Sequence, residues 1–191
     1  SLVLFGMCIT SVAGAAAANE FGAISIATPQ DVPPLLDDAQ LYDVHFVSAR
    51  LGWAVGEHGV IWHTDDGGRS WRWQKSGVSF ALRSVCFLTD QLGWAAGGGT
   101  EPFTHQSRGV VLHTTDGGAT WQVLADSGIP QIYKIQFFGL DEGVMAGDVA
   151  ANTPTGIFAT TDGGKTWTPT KGTRVRGWRG GDFRAPDRGL V

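Results

Sequence analysis

The sequence predicts an all-β protein, a β-propeller of four-stranded antiparallel blades. Three observations carry that prediction. The stretch Thr64 to Trp71 returns at Thr114 to Trp121 and again at Thr160 to Trp167, as T-x-D-G-G-x-[ST]-W with six of eight positions held. Its aspartates, Asp66, Asp116 and Asp162, lie 50 and then 46 residues apart, a period that marks propellers and solenoids. With 28 Gly and eight Trp in 191 residues, and only 17% charged residues, the composition suits many short strands joined by tight turns.

Taken in order, residues 1–18 read as a secretory signal peptide, truncated at its N-terminus. Leu2 to Val12 is almost wholly apolar and is followed by Ala16-Ala17-Ala18 before Asn19, the small-residue pattern of a cleavage site. The apolar run is too short for a comfortable membrane span. Residues 19–40, with Pro29, Pro33 and Pro34, read as an extended linker, because proline at that density blocks regular ladders. The propeller then occupies 41–191, with blades at 41–81, 82–131 and 132–176 and the start of a fourth at 177–191.

Within each blade four strands are marked by alternation and by the glycines between them. The first is Leu41 to Val47, Leu82 to Leu88 and Ile132 to Phe138, with Val44/Phe46, Val85/Phe87 and Ile135/Phe137 on one face. The second is Gly52-Trp53-Ala54-Val55-Gly56 and its counterparts from Gly93 and Gly143. The third is Val60 to His63, Val110 to His113 and Ile157 to Thr160, and the fourth begins at Trp71, Trp121 and Trp167. Phe183 and Gly189 repeat the six-residue spacing of Phe46 and Gly52, Phe87 and Gly93, and Phe137 and Gly143. An open run of three blades leaves its end sheets without neighbours, and the chain is therefore expected to be a piece of a longer polypeptide.

Every position of the repeated motif has a folding role. Asp66, Asp116 and Asp162 precede Gly67-Gly68, Gly117-Gly118 and Gly163-Gly164, where an aspartate accepts from the N–H groups of its own turn and glycine supplies positive φ. Thr64, Thr114 and Thr160 add hydroxyl bonds, while Trp71, Trp121 and Trp167 bury large rings between sheets. Three equivalent acids on three blades do not converge on one pocket, so they are read as scaffold and not as catalytic carboxylates or metal ligands.

Functional residues are sought on the other face of the disc. Successive turns of an antiparallel blade alternate between faces, so the first turn and the repeated motif share one face and the second turn lies opposite. That second turn varies most: Glu57-His58 in blade one, an insertion over Gly97 to Arg108 in blade two, and another over Asp148 to Pro154 in blade three. Insertions on one face mark a working rim, with Glu57, His58, Glu101, His105, Arg108, Asp148 and Asn152 as candidates. A second candidate is a basic patch of Arg174, Arg176, Arg179, Arg184 and Arg188. From Lys171 onward six basic residues face two acids, in a chain of net charge -4. His63 and His113, at matched positions, are read as inter-blade packing.

The motif and its surroundings resemble a known family. T-x-D-G-G-x-[ST]-W is similar to the Asp-box, or BNR, repeat of sialidases, sortilin-type receptors, xyloglucanases and photosystem II assembly factors. The longer text from Phe46 through Gly52-Trp53-Ala54-Val55-Gly56, Gly59, Ile61 and His63 to Gly68 resembles the photosystem II stability/assembly factor-like family. The third copy departs from it at Gly143-Val144-Met145-Ala146-Gly147. The resemblance implies a seven-bladed, signal-bearing propeller without a catalytic site, which binds a protein partner such as a membrane-protein assembly intermediate. It implies no cofactor, only indirect association with the membrane, and a location that is periplasmic, extracellular or in the thylakoid lumen.

The competing expectation is a fragment of an Asp-box glycoside hydrolase of the sialidase or xyloglucanase type. A sialidase needs an arginine triad and a tyrosine nucleophile beside acid/base carboxylates, whereas the only tyrosines, Tyr42 and Tyr133, sit at matched first-strand positions. No CxxC or Cys/His spacing suggests a metal site, Cys8 and Cys86 are not expected to pair, and the acidic bulk of the chain argues against nucleic acid.

Overall fold

The computed structural model describes residues 38–125, 128–150, 152–175, 177–178, 181–185 and 188–190. The segment read as a signal peptide, all but the last three residues of the linker, and Arg176 and Arg179 lie outside them. The first blade is β1 (Leu41–Phe46), β2 (Gly52–Gly56), β3 (Ile61–Thr64) and β4 (Arg72–Gln74). The second is β5 (Ala81–Phe87), β6 (Gly93–Thr100), β7 (Ser107–Thr114) and β8 (Gln122–Ala125). The third is β9 (Ile132–Phe137), β10 (Gly143–Gly147), β11 (Ile157–Thr160) and β12 (Thr168–Pro169), and β13 (Asp182–Ala185) pairs with β14 (Arg188–Leu190). Each complete sheet runs in chain order and is antiparallel throughout. The fold is thus the expected all-β partial propeller. Fourth strands start one residue after each motif Trp, and β5 starts at Ala81.

Blades are joined by one repeated device. The Trp53 ring stacks on Phe87 of the next blade, centroids 3.5 Å apart, and Trp94 stacks on Phe137 at 3.6 Å. Each indole N–H donates to a glycine carbonyl of that next blade's Asp box, Trp53 Nε1 to Gly117 O and Trp94 Nε1 to Gly163 O, both at 3.0 Å. The phenylalanine covers a glycine of its own second strand: a Cβ on Gly93 would stand 2.5 Å from the Phe87 ring, and one on Gly143 2.8 Å from Phe137. Phe46↔Gly52, Phe87↔Gly93, Phe137↔Gly143 and Phe183↔Gly189 are all directly paired residues. The spacing seen in the sequence is therefore a cross-strand pair in which glycine gives the ring room.

Trp53 and Trp94 are each only 1% exposed, so they are the main rings between sheets. The motif tryptophans are half-buried and meet the same phenylalanines edge-on, Trp121 with Phe87 and Trp167 with Phe137. The motif tryptophans are expected from the sequence to bury rings between sheets; the fully buried rings are those of Trp53 and Trp94, because β2 and β6 are buried on both faces, while β4 and β8 are outer strands. In blade one Val44 and Phe46 are 54% and 42% exposed: Phe46 meets Trp71 edge-on, but among the described residues no tryptophan stacks on it as Trp53 and Trp94 stack on Phe87 and Phe137.

His63 and His113 lie against Trp53 and Trp94 of their own blades, with ring centroids 5.0 and 5.1 Å apart; each is the directly paired cross-strand neighbour, so this ring contact is made within a blade and not between blades. Blade three carries Val144 where the others carry Trp, paired with Ala159 where they carry His. The two positions change together because the histidine's contact is the tryptophan. Inner strands are clasped as well. Asp43 Oδ2 accepts from Ser84 Oγ (2.9 Å) and Val85 N (3.0 Å), Phe137 N donates to Cys86 Sγ, and Phe183 N to Gln136 Oε1.

The Asp boxes form closed hydrogen-bond circuits. Asp66 accepts from Ser70 N (2.9 Å), Ser70 Oγ (2.6 Å) and Thr64 Oγ1 (2.9 Å), and Thr64 Oγ1 accepts from Gly68 N. The same bonds recur around Asp116 with Thr114 and Thr120, and around Asp162 with Thr160 and Thr166. Both motif glycines have φ between 69° and 92°, the left-handed region that disfavours other residues. These bonds hold the carboxyls below their ordinary range, the Ser/Thr hydroxyl being the largest cause, and Asp116 titrates at about 2.

A group depressed in the folded state contributes stability above its unfolded pKa of about 3.9 and loses it as pH falls through the folded value. The melting temperature is therefore expected to fall between about pH 4 and pH 2. His45, His63 and His113, lowered by burial, add a shallower decline that begins near pH 6.5. Melting curves of the native chain and Asp116→Asn from pH 2 to 8 test this. The two should differ at neutral pH and converge toward pH 2, and a difference independent of pH would sink the account.

Candidate functional site

The antiparallel order sends the Asp boxes and first turns to one face, where Gly67 N donates to Arg50 O, Gly117 N to Gln91 O and Gly163 N to Asp141 O. The second turns lie on the other face, and there the first strand of each blade is interrupted. Pairing passes from Leu41↔Gly56 to Asp43↔Val55, from Leu82↔Gly97 to Ser84↔Ala96, and from Ile132↔Gly147 to Lys134↔Ala146. Tyr42, Arg83 and Tyr133 are each left over as a β-bulge, which re-aims its side chain.

The three bulge residues meet. The Arg83 guanidinium carbon lies 4.6 Å from the Tyr42 ring centroid and 5.5 Å from that of Tyr133, within cation–π range. Tyr42 Oη donates to Glu57 Oε1 at 3.0 Å; burial and then that carboxylate push the phenol up. Arg83 Nε is closed off from solvent with no acceptor among the described residues. Asp43 nearby is taken by Lys134, with Nζ to Oδ2 at 3.5 Å. Sequence reasoning noticed that Tyr42 and Tyr133 correspond but missed Arg83, which occupies the same repeat position and could have been found by aligning all three first strands.

Outside this cluster the second turns of blades two and three enclose a cleft of about 530 Å³. Its lining includes Glu101, Ser107, Arg108, Ile129, Val149 and Asn152. Blade two's insertion is not a loop: β6 and β7 continue through Gly99↔Arg108 and Thr100↔Ser107, leaving a tip only at 101–106. Arg108 Nη1 bonds Glu101 Oε1 at 3.2 Å. Ser107 Oγ bridges the blades, donating to Asp148 Oδ2 at 2.6 Å and accepting from Gln131 N at 2.8 Å.

Of the rim candidates, Glu101, Arg108 and Asn152 thus border one cleft and Asp148 braces its base, with His105 on the tip in a left-handed conformation (φ 53°). Glu57 joins Tyr42 instead, and exposed His58 (φ 55°) sits beside it in the turn Glu57–Gly59. Of the basic candidates Arg174 is exposed, and Arg184 and Arg188 stand on β13 and β14. No group of three or more His, Cys, Asp or Glu among the described residues could hold a metal ion.

Comparison with known proteins places this geometry. Among solved structures, one described as YCF48 bound to D1 peptide superposes with a TM-score of 0.59 at 28% identity, covering 76% of this chain and 45% of its own. YCF48 from Cyanidioschyzon merolae gives 0.50 at 27% identity, covering 68% and 36%. The chain therefore spans less than half the length of either. An ancestral GH74 enzyme gives 0.53 at 16% identity over 70% of this chain and 18% of its own, a likeness of fold alone. No curated protein matches the chain. A family model described as photosynthesis system II assembly factor YCF48 matches residues 28–183, and with most of its length so matched the chain belongs to that family of Asp-box propellers.

Proposed function

We propose that this chain is part of an exported, non-catalytic propeller that binds a protein partner on the face opposite its Asp boxes, as an assembly scaffold for a membrane protein. The observation that carries the reading is the cleft at Glu101, Arg108 and Asn152, where the varied turns of two blades meet a mixed apolar and polar wall. Its carboxylates are in structural use, Glu101 by Arg108 and Thr104 and Asp148 by Ser107. That favours binding over acid/base chemistry, which needs a carboxyl poised at a reacting atom. The relative solved with a D1 peptide supports a peptide segment of a membrane protein as the partner. Export rests on the apolar run Leu2 to Val12 and the alanines after it.

Titration of the full chain with a labelled D1 peptide tests the reading. Saturable binding is expected, weakened at least tenfold by Asn152→Arg at the cleft and unchanged by Asp90→Lys on the Asp-box face. Absence of binding, or turnover of xyloglucan or a sialoside by the same preparation, would overturn it.

A further inference from the structure

We infer that Phe103, at the tip of the β6–β7 hairpin, is an anchor for this partner, packing against a bulky apolar side chain of an extended peptide that lies in the cleft beside it. The inference rests on the binding reading above and adds the residue that grips and the chemistry it grips. The hairpin projects from its sheet: β5 stops pairing at Ala81↔Gly98, while β6 and β7 run on to Thr100↔Ser107. Its tip is closed on itself. Glu101 N donates to Gln106 O at 2.9 Å, His105 N to Glu101 O at 3.0 Å, Thr104 Oγ1 to Glu101 Oε2 at 3.0 Å, and Gln106 N to Thr104 Oγ1 at 3.3 Å.

Pro102 fixes φ just before the aromatic. The tip residues 102–106 are all exposed, and Phe103, 97% exposed, is the large apolar side chain among them. An ordered turn that leaves a benzyl ring in water gains nothing for the fold by it. A partner that covers the ring collects the apolar gain with little further ordering of the tip, which is how preorganised aromatic anchors act.

The neighbouring surface says what the partner is. The cleft behind the tip shares Glu101 and Gln106 with it and continues over Arg108, Ile129, Pro130 and Val149. Aliphatic carbon beside hydrogen-bonding groups suits a polypeptide main chain carrying apolar side chains. A lipid surface would instead be met by unpaired cations around the ring; here Arg108 is bonded to Glu101.

The test compares the native full chain with Phe103→Ala and Phe103→Trp, using labelled D1 peptide, phosphatidylcholine/phosphatidylglycerol vesicles and sedimentation velocity. Because the ring is not part of the core, all three proteins should melt together. Phe103→Ala should lose at least tenfold in peptide affinity. Phe103→Trp should bind peptide, and its indole emission should shift to the blue on binding. Native-like affinity in Phe103→Ala, with Asn152→Arg still weakened, overturns the anchor and leaves the binding reading intact; no peptide binding by the native chain overturns both. Vesicle binding, or a dimer, that Phe103→Ala abolishes while peptide affinity stays unchanged would show that lipid or a second copy occupies the tip, and would overturn the proposal.

Discussion

Trp94→Ala is expected to lower unfolding stability by about 3–5 kcal/mol, the range for truncating a buried tryptophan. The ring is 1% exposed, stacks on Phe137, carries His113 on its other contact and donates to Gly163 O. Its loss therefore opens a cavity between blades two and three and strips a donor from the third Asp box at once. Trp94→Phe separates the two effects. It keeps an aromatic on Phe137 and removes the N–H, so it should cost nearer 1–2 kcal/mol, the scale of one buried hydrogen-bond partner left unmet. Urea unfolding followed by far-UV circular dichroism measures both. Equal losses for the two variants would show that the hydrogen bond dominates and that stacking contributes little.

The scaffold was legible from the sequence because propellers repeat their text. The Asp boxes, the Phe–Gly spacing and the alternation of turns between faces each recur, and one blade's reading is checked by the next. What the text concealed were features that break the repeat or the period. Gly97-Gly98-Gly99 reads as loop because glycine runs signal turns. In fact a Cβ on Gly97 would stand 2.0 Å from Ala81 O and one on Gly98 2.1 Å from Arg108 O. The glycines are demanded by close backbone approach inside a long hairpin, and composition does not distinguish that from a turn. The bulges left a fainter mark. Leu82 and Val85, like Ile132 and Ile135, are buried three residues apart, where an unbroken strand would bury residues two or four apart.

That bulge also explains why the candidate site resisted reading. Arg83 lies between buried Leu82 and buried Ser84 on an inner strand, and the slip in register turns it toward Tyr42 and Tyr133. The substitutions in blade three were legible singly but not as a pair. Val144 for Trp and Ala159 for His make sense together once the histidine is seen to rest on the tryptophan. Trp167 shows a third departure. Gln74 gives Trp121 Nε1 an acceptor at 3.4 Å, whereas Leu124 stands at the equivalent position before Trp167, whose Nε1 has no partner among the described residues.

The tightest of these constraints yields the second large prediction. Gly97→Ala should destabilise the chain by about 3 kcal/mol, the upper end of what overpacking costs, and should disturb the cluster formed by the three bulge residues. Every close neighbour of the added Cβ is backbone: Ala81 O at 2.0 Å, Leu82 Cα at 2.7 Å and Ala81 C at 2.9 Å. No side chain can swing aside, so β5 and β6 must part, and they part at the register step that holds Arg83 between the tyrosines. Gly99→Ala, two residues further along the same strand, is the control. Its Cβ meets only the Phe80 ring, at 3.4 Å, and it should stay within about 0.5 kcal/mol of the native chain, as surface changes do. Urea unfolding of both variants, with tyrosine absorbance followed as a probe of Tyr42 and Tyr133, checks the pair. If Gly97→Ala unfolds like Gly99→Ala and leaves the tyrosine signal unchanged, the bulge is slack, and Arg83 owes its position to something other than the close contact of β5 with β6.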